Sequence, residues 1–126
     1  MSWDYDPENV FAKILRGEIP SSPILDTEHA FAFRDIRPQA PTHVLVIPKG
    51  PYVSYDHFAT EASDAEIVGF TRAVAQVCQE EGVSLKDTET GHRLIANSGT
   101  YAHQEVPHFH VHILSGRAMG PLIMAE

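Results

Sequence analysis

A lone cysteine, Cys78, stands among 126 residues, so no internal disulfide can brace the chain and its stability must come from packing. Long apolar runs are missing too. A stretch such as Val44–Ile47 falls far short of the roughly 20 residues that cross a bilayer as a helix. The acidic start, Met1 to Asp6, has no apolar run behind it, so neither a secretory leader nor a membrane partner is expected. Basic charge is the third scarcity. Lys and Arg number 9 against 17 Asp and Glu, a formal charge of −8. Such a balance gives no face with which to neutralise a polyanionic backbone, which excludes non-specific binding of a nucleic-acid polymer. One local pocket could still hold a single phosphate. Repeats, low-complexity segments and linkers are absent as well. What is present is 43% hydrophobic residues, enough to fill a core. These features read as one domain over 1–126, in a soluble cytoplasmic protein.

Local signals outline the elements. Asp6-Pro7-Glu8 reads as an N-cap, a proline at N1 and an acidic first turn, with Val10, Phe11, Ile14 and Leu15 on one helical face behind it. Gly17 suits the position just past a helix and Pro20 blocks resumption, so a helix is expected over 7–16. Strands are expected over 22–26, over 29–34, where Ala30 and Ala32 alternate with Phe31 and Phe33, and over 43–47. Ser63-Asp-Ala-Glu66 is a capping box. It is followed by an apolar stripe of Ile67, Phe70, Val74, Val77 and Cys78, and Gly82 closes this second helix. Strands over 93–96 and 106–114 complete the chain. Consecutive strands without crossover helices point to an antiparallel sheet and an α+β fold.

The segment His108-Phe109-His110-Val111-His112-Ile113-Leu114 carries the chemistry. Strand side chains alternate between faces, so three imidazoles share one face and Phe109, Val111 and Ile113 the other. Three uses are open. The row could bind a metal, but alternate residues lie about 6.6 Å apart, which puts His108 and His112 about 13 Å from each other. Zinc accepts imidazole nitrogens at only about 2.0–2.1 Å, so a straight strand does not easily bring all three to one ion, which leaves two of them with a distant ligand. The histidines could instead be filler on a solvated face. They could also be chemical: a neutral imidazole is a good nucleophile near pH 7, and flanking imidazoles can bind phosphate oxygens or protonate a leaving group.

At this segment the chain resembles the histidine triad (HIT) family, whose signature alternates three histidines with apolar residues and ends on two apolar residues. His108 to Leu114 fit it at every position. Phe11 to Pro20 is similar to the family's amino-terminal helix and turn, and Phe33 to Lys49 to its central block. Asn97-Ser98-Gly99 and Gln104-Glu105-Val106 resemble the approach to the triad, and Gly116 to Pro121 the segment after it. The nearest branch is the Hint type, the purine nucleoside phosphoramidases. The resemblance implies a five-stranded antiparallel sheet with two helices, paired with its copy in a homodimer, and hydrolysis of a P–N bond without a metal or other cofactor. By position, His110 would be the nucleophile and His112 would contact phosphate and help protonate the leaving amine. His108 and His43 would be a hydrogen-bonded support. Asp35 would hold the ribose hydroxyls of a purine nucleotide; Phe11, Ile14, Phe33 and Ile36 would wall the base. Asn97, Gln104 and Glu105 would complete the nucleotide site.

Each residue also has a structural use. The four apolar side chains suit a core, Asp35 could brace the proline loop, Asn97 could be a turn residue and His43 a satisfied strand histidine. The chain departs from the family's pattern at Glu105, where some members carry Ser or Thr, at Pro107, which lacks an N–H, and at Ser115, where glycine is common. Paired amino-terminal cysteines, which zinc-binding relatives carry, are missing. The alternative functions are a dinucleoside polyphosphate hydrolase, a nucleotide-binding regulator with little turnover, and a metal-binding module.

Overall fold

The computed structural model describes residues 3–123. Its elements run α1 (Val10–Leu15), β1 (Pro23–Asp26), β2 (Ala30–Arg34), β3 (Thr42–Pro48), α2 (Tyr55–Glu61), α3 (Asp64–Glu80), β4 (Arg93–Ile95) and β5 (Val111–Ser115). The strands form one sheet in the order β1-β2-β3-β5-β4, every neighbouring pair antiparallel. The expected five-stranded antiparallel α+β architecture is present, with three helices rather than two. No helix among the described residues is long and apolar enough to cross a membrane.

Alternation along the strands sorts side chains onto two faces. Ala30, Ala32, Val44, Val46 and Ile113 face α3, where they meet Phe70, Ala73, Val77 and Cys78, with Phe58 and Phe109 beside them. On the opposite face Phe33, Leu45 and Ile47 pack with Phe11 of α1, rimmed by Ile14, Leu15, Phe31 and Val106. Small alanines on β2 make room for the long helix, while their phenylalanine neighbours fill the thinner face under α1.

The end of α3 follows its sequence signals. Ser63 and Glu66 form the reciprocal capping box, and past Glu80 the N–H groups of Gly82 and Val83 return to the carbonyls of Gln79 and Cys78. Gly82 takes the positive φ of 71° that this ending requires. The start of α1 differs from expectation. Asp6 bonds the Glu8 N–H at 2.9 Å, making a turn rather than a cap. Asn9, in extended conformation, accepts from the Ala12 N–H at 2.9 Å and starts the helix at Val10. The last strand also differs. It begins at Val111 opposite Val46, not at residue 106, so Val106 to His110 approach the sheet without joining its ladder. Pro107 has no N–H to donate, and the Pro48 carbonyl opposite this stretch is taken by a side chain.

Candidate active site

The site lies on the α1 face of the sheet and is built from two hydrogen-bonded pairs. The first joins neighbouring strands. Leu45 is the register partner of His112 and His43 that of Leu114, which brings the His43 and His112 rings to a centroid distance of 5.2 Å. His43 Nδ1 accepts the Gln39 backbone N–H at 3.1 Å. The proton of the neutral ring therefore sits on Nε2, 2.9 Å from His112 Nδ1 and 3.4 Å from an Asp35 carboxylate oxygen. His112 accepts at Nδ1, so its own proton is on Nε2, pointing away from its support.

The second pair lies just before the strand. His108, fully buried, donates from Nε2 to the Pro48 carbonyl at 2.9 Å and accepts the Tyr5 hydroxyl at Nδ1, 2.7 Å away. Its backbone carbonyl accepts the Nδ1–H of His110 at 2.7 Å. That bond fixes the His110 tautomer and leaves Nε2 with a free lone pair. Phe11 packs its ring against His110 at 5.0 Å and 90°, and His112 lies 5.0 Å from His110 on the other side. His108 and His43 are thus separate supports: His43 orients His112, and His108 orients His110 through its carbonyl.

All four rings are held neutral. Burial pushes His108 down to about 4, with the nearby His110 acting in the same direction. His112 is also lowered to about 4, first by burial and then by His110 and His43. Burial lowers His110 and His43 too, while Asp35 pulls both the other way. At neutral pH the site therefore presents an unprotonated nitrogen on His110 beside an N–H on His112.

Asp35, His43 and His112 offer ligand atoms within 4.8 Å of one another, the spacing of a potential cation site. The hydrogen bonds oppose that use. A cation on His43 Nε2 would need the proton moved to Nδ1, which already accepts the Gln39 N–H. The donor set fits a relay between imidazoles better than a metal.

The other predicted residues divide. Phe11 and Phe33 are buried against each other, 5.4 Å apart. Ile14 lines a cavity of about 280 Å³ with Leu15, Asp26, Phe31 and Lys49. Ile36 is 90% exposed. Asp35 accepts the Arg37 N–H at 2.8 Å on one oxygen. Asn97 is half-buried two residues beyond Ile95, the ladder partner of His112. Gln104 spends its amide inside the protein, donating to the Val53 and Val106 carbonyls and accepting from Gly99. Glu105 is exposed and paired with His103 at 2.8 Å. With no strand reaching position 105, its direction is not set by strand alternation. Tyr5, Gln39 and the Pro48 carbonyl were not anticipated. All three act through contacts distant from the triad in sequence; two aromatic residues, Trp3 and Tyr5, in an otherwise acidic start are the one signal that could have pointed to an anchored arm.

Residues 16–119 match the family model described as the HIT domain. The chain belongs to the histidine triad family. A 13.2 kDa HIT-like protein of Azospirillum brasilense is 55% identical over 123 residues, 98% of either chain. The purine nucleoside phosphoramidase of Escherichia coli K12 is 39% identical over 116 residues, covering 92% of this chain and 93% of its own. Among solved structures, a HIT family hydrolase from Legionella pneumophila Philadelphia 1 superposes with a TM-score of 0.74 at 38% identity, over 88% of this HIT chain and 95% of its own.

Proposed function

We propose that this HIT protein is a hydrolase and nucleotidyl transferase that cleaves the P–N bond of purine nucleoside 5′-phosphoramidates, with His110 as nucleophile. The observation that carries the reading is the 2.7 Å bond from His110 Nδ1 to the His108 carbonyl, which leaves the Nε2 lone pair of the neutral ring unengaged. In the first step Nε2 attacks phosphorus, the P–N bond breaks, and the amine leaves with its electron pair and a proton. His112 Nε2–H stands 5.0 Å away, ring to ring, to bond a phosphate oxygen and assist that proton transfer. The arriving phosphate charge counters the forces that hold His112 neutral. In the second step water attacks the nucleotidyl-histidine and passes a proton to His112, replacing the one given to the amine; the P–N(His110) bond breaks, and the ring recovers its lone pair as AMP or GMP departs.

The nucleotide is read by the flanking residues. Asp35 accepts the ribose hydroxyls with lone pairs not used on Arg37. Phe11, Ile14, Phe33 and the exposed Ile36 form the apolar wall for the base. Asn97 donates to phosphate, Glu105 stands at the rim, and Gln104 holds the loop in shape. The E. coli relative's name supports the substrate class. The reading includes a homodimer pairing two sheets, which the free edge of β4, with Leu94 half exposed on it, supports; scattering-derived mass in solution tests it.

The decisive experiment is intact-mass spectrometry of the protein mixed with adenosine 5′-phosphoramidate and quenched during turnover, with AMP release followed in parallel. One nucleotidyl group mapping to His110, with AMP and amine released, is the expected result. Turnover that persists in His110→Ala overturns the assignment. AMP binding with neither adduct nor AMP release redirects the test to dinucleoside polyphosphates, and failure there leaves a nucleotide-binding protein.

A further inference from the structure

The sheet does not hold the proposed nucleophile in place. Its ladder ends at Val111, opposite Val46, and the preceding residues carry His108 and His110 as bends and extended chain. Beside the Gln104 amide on the Val106 carbonyl, three hydrogen bonds at His108 and Phe109 fasten that stretch instead. One is the backbone bond from the Phe109 N–H to the Tyr52 carbonyl at 2.7 Å. The other two are made by the His108 ring: Nε2–H to the Pro48 carbonyl, and Nδ1 from the Tyr5 hydroxyl at 2.7 Å. The carbonyl of this same His108 holds His110 Nδ1–H.

Tyr5 lies outside the residues matched by the family model, on an arm that precedes α1. The arm is anchored twice. Trp3 stacks on His57 of α2, with ring centroids 4.8 Å apart and planes within 3°, and Tyr5 reaches His108 edge-on at 5.6 Å between centroids. The direction of the Tyr5 bond is unambiguous. A carbonyl can only accept, so His108 Nε2 carries the ring proton, Nδ1 is the acceptor and the tyrosine donates.

We propose that Tyr5 is a positioning residue for the reaction: its hydroxyl locks the His108 ring, the locked ring sets the His108 carbonyl, and that carbonyl sets the tautomer and aim of His110. The role rests on His110 being the nucleophile. Removing the hydroxyl strands a buried acceptor on His108 and loosens the only stretch of the triad that lies off the ladder.

The test is Tyr5→Phe in the full chain, which keeps the ring and its packing and removes one donor. The chain should remain folded, with kcat on adenosine 5′-phosphoramidate down about fivefold and KM little changed, the scale of one lost hydrogen bond expressed in the barrier alone. The distinguishing readout is the imidazole 15N spectrum of the ligand-free protein. In the wild type His110 should show a single tautomer, protonated at Nδ1, and in Tyr5→Phe a mixture of the two neutral forms. Unchanged His110 nitrogen signals in folded Tyr5→Phe overturn the proposal, whatever happens to kcat. Because that spectrum needs no substrate, it separates failure of this inference from failure of the phosphoramidase reading, which would show as a wild type with the locked tautomer and no turnover.

Discussion

The two faces of one sheet are built on different principles. Beneath α3 the contacts are apolar from end to end: Ala30, Ala32, Val44, Val46 and Ile113 against Phe70, Ala73 and Val77. Beneath α1 the apolar cluster of Phe11, Phe33, Leu45 and Ile47 adjoins buried imidazoles, each of whose nitrogens used for support has a named partner. The first face needs only volume and tolerates small changes of shape. The second needs direction, since a buried ring with a lost partner is costly and, here, misaimed. One face supplies stability and the other spends some of it on holding neutral histidines in fixed tautomers.

That contrast can be broken from either side. The largest effect is expected from His110→Ala, which should lower turnover by at least about a thousandfold while cooperative unfolding persists; steady-state assay and circular dichroism together check it. Phe70→Ala strikes the other face. It should cost about 3–5 kcal/mol in urea unfolding yet leave kcat nearly unchanged wherever the protein is folded. Loss of activity in step with stability at temperatures below the transition would show that the faces are not separable.

Mild acid addresses the imidazole face first. His108 is held at about 4 when folded against an ordinary 6.5. Above pH 6.5 neither state carries its proton. As pH falls, the unfolded chain takes up a proton that the folded one refuses, so the stability lost through His108 grows between about pH 6.5 and 4 and levels off below, where carboxylates held low in the fold, such as Glu66 of the α3 capping box, take up their own protons. His108 alone accounts for roughly 3 kcal/mol of that loss, with a smaller, solvent-screened share from His112. Urea titrations across this range should show the slope, and His108→Asn should flatten it. The smallest effect is expected at the α1 cap: Asn9→Ala should cost about 1 kcal/mol and reach the site only through the placement of Phe11.

Legibility in the sequence follows the same division. The α3 face could be read because its signals are local or periodic: the Ser63–Glu66 box, the stripe behind it, Gly82, the alternation in β2 and the β-branched run of β3. Helix α2 escaped because seven residues with only His57 and Phe58 buried make no recognisable stripe. The Asp6-Pro7-Glu8 triplet is a strong cap signal, yet Asp6 closes a turn of its own and Asn9 takes the role. Alternation continues back to residue 106, past the point where hydrogen bonding stops. For the site, spacing was enough to put three histidines on one side. It could not show that His43 belongs with His112, that Gln104 is consumed by its own loop, or that Tyr5 completes His108, since each depends on a partner brought near only by folding.

The ending of the ladder at Val111 also bears on how such a protein can change. Had the proposed nucleophile been a rung of the sheet, any adjustment of its aim would shift the paired strand and the helix packed behind it. Standing just outside the rungs, it can be re-aimed by substitutions at a few contacts, an arm residue here or a carbonyl donor there, while the scaffold stays as it is. With Tyr5 in the positioning role proposed for it, sequence drift in the arm is a tuning screw for reactivity, turned without touching either the core or the triad itself.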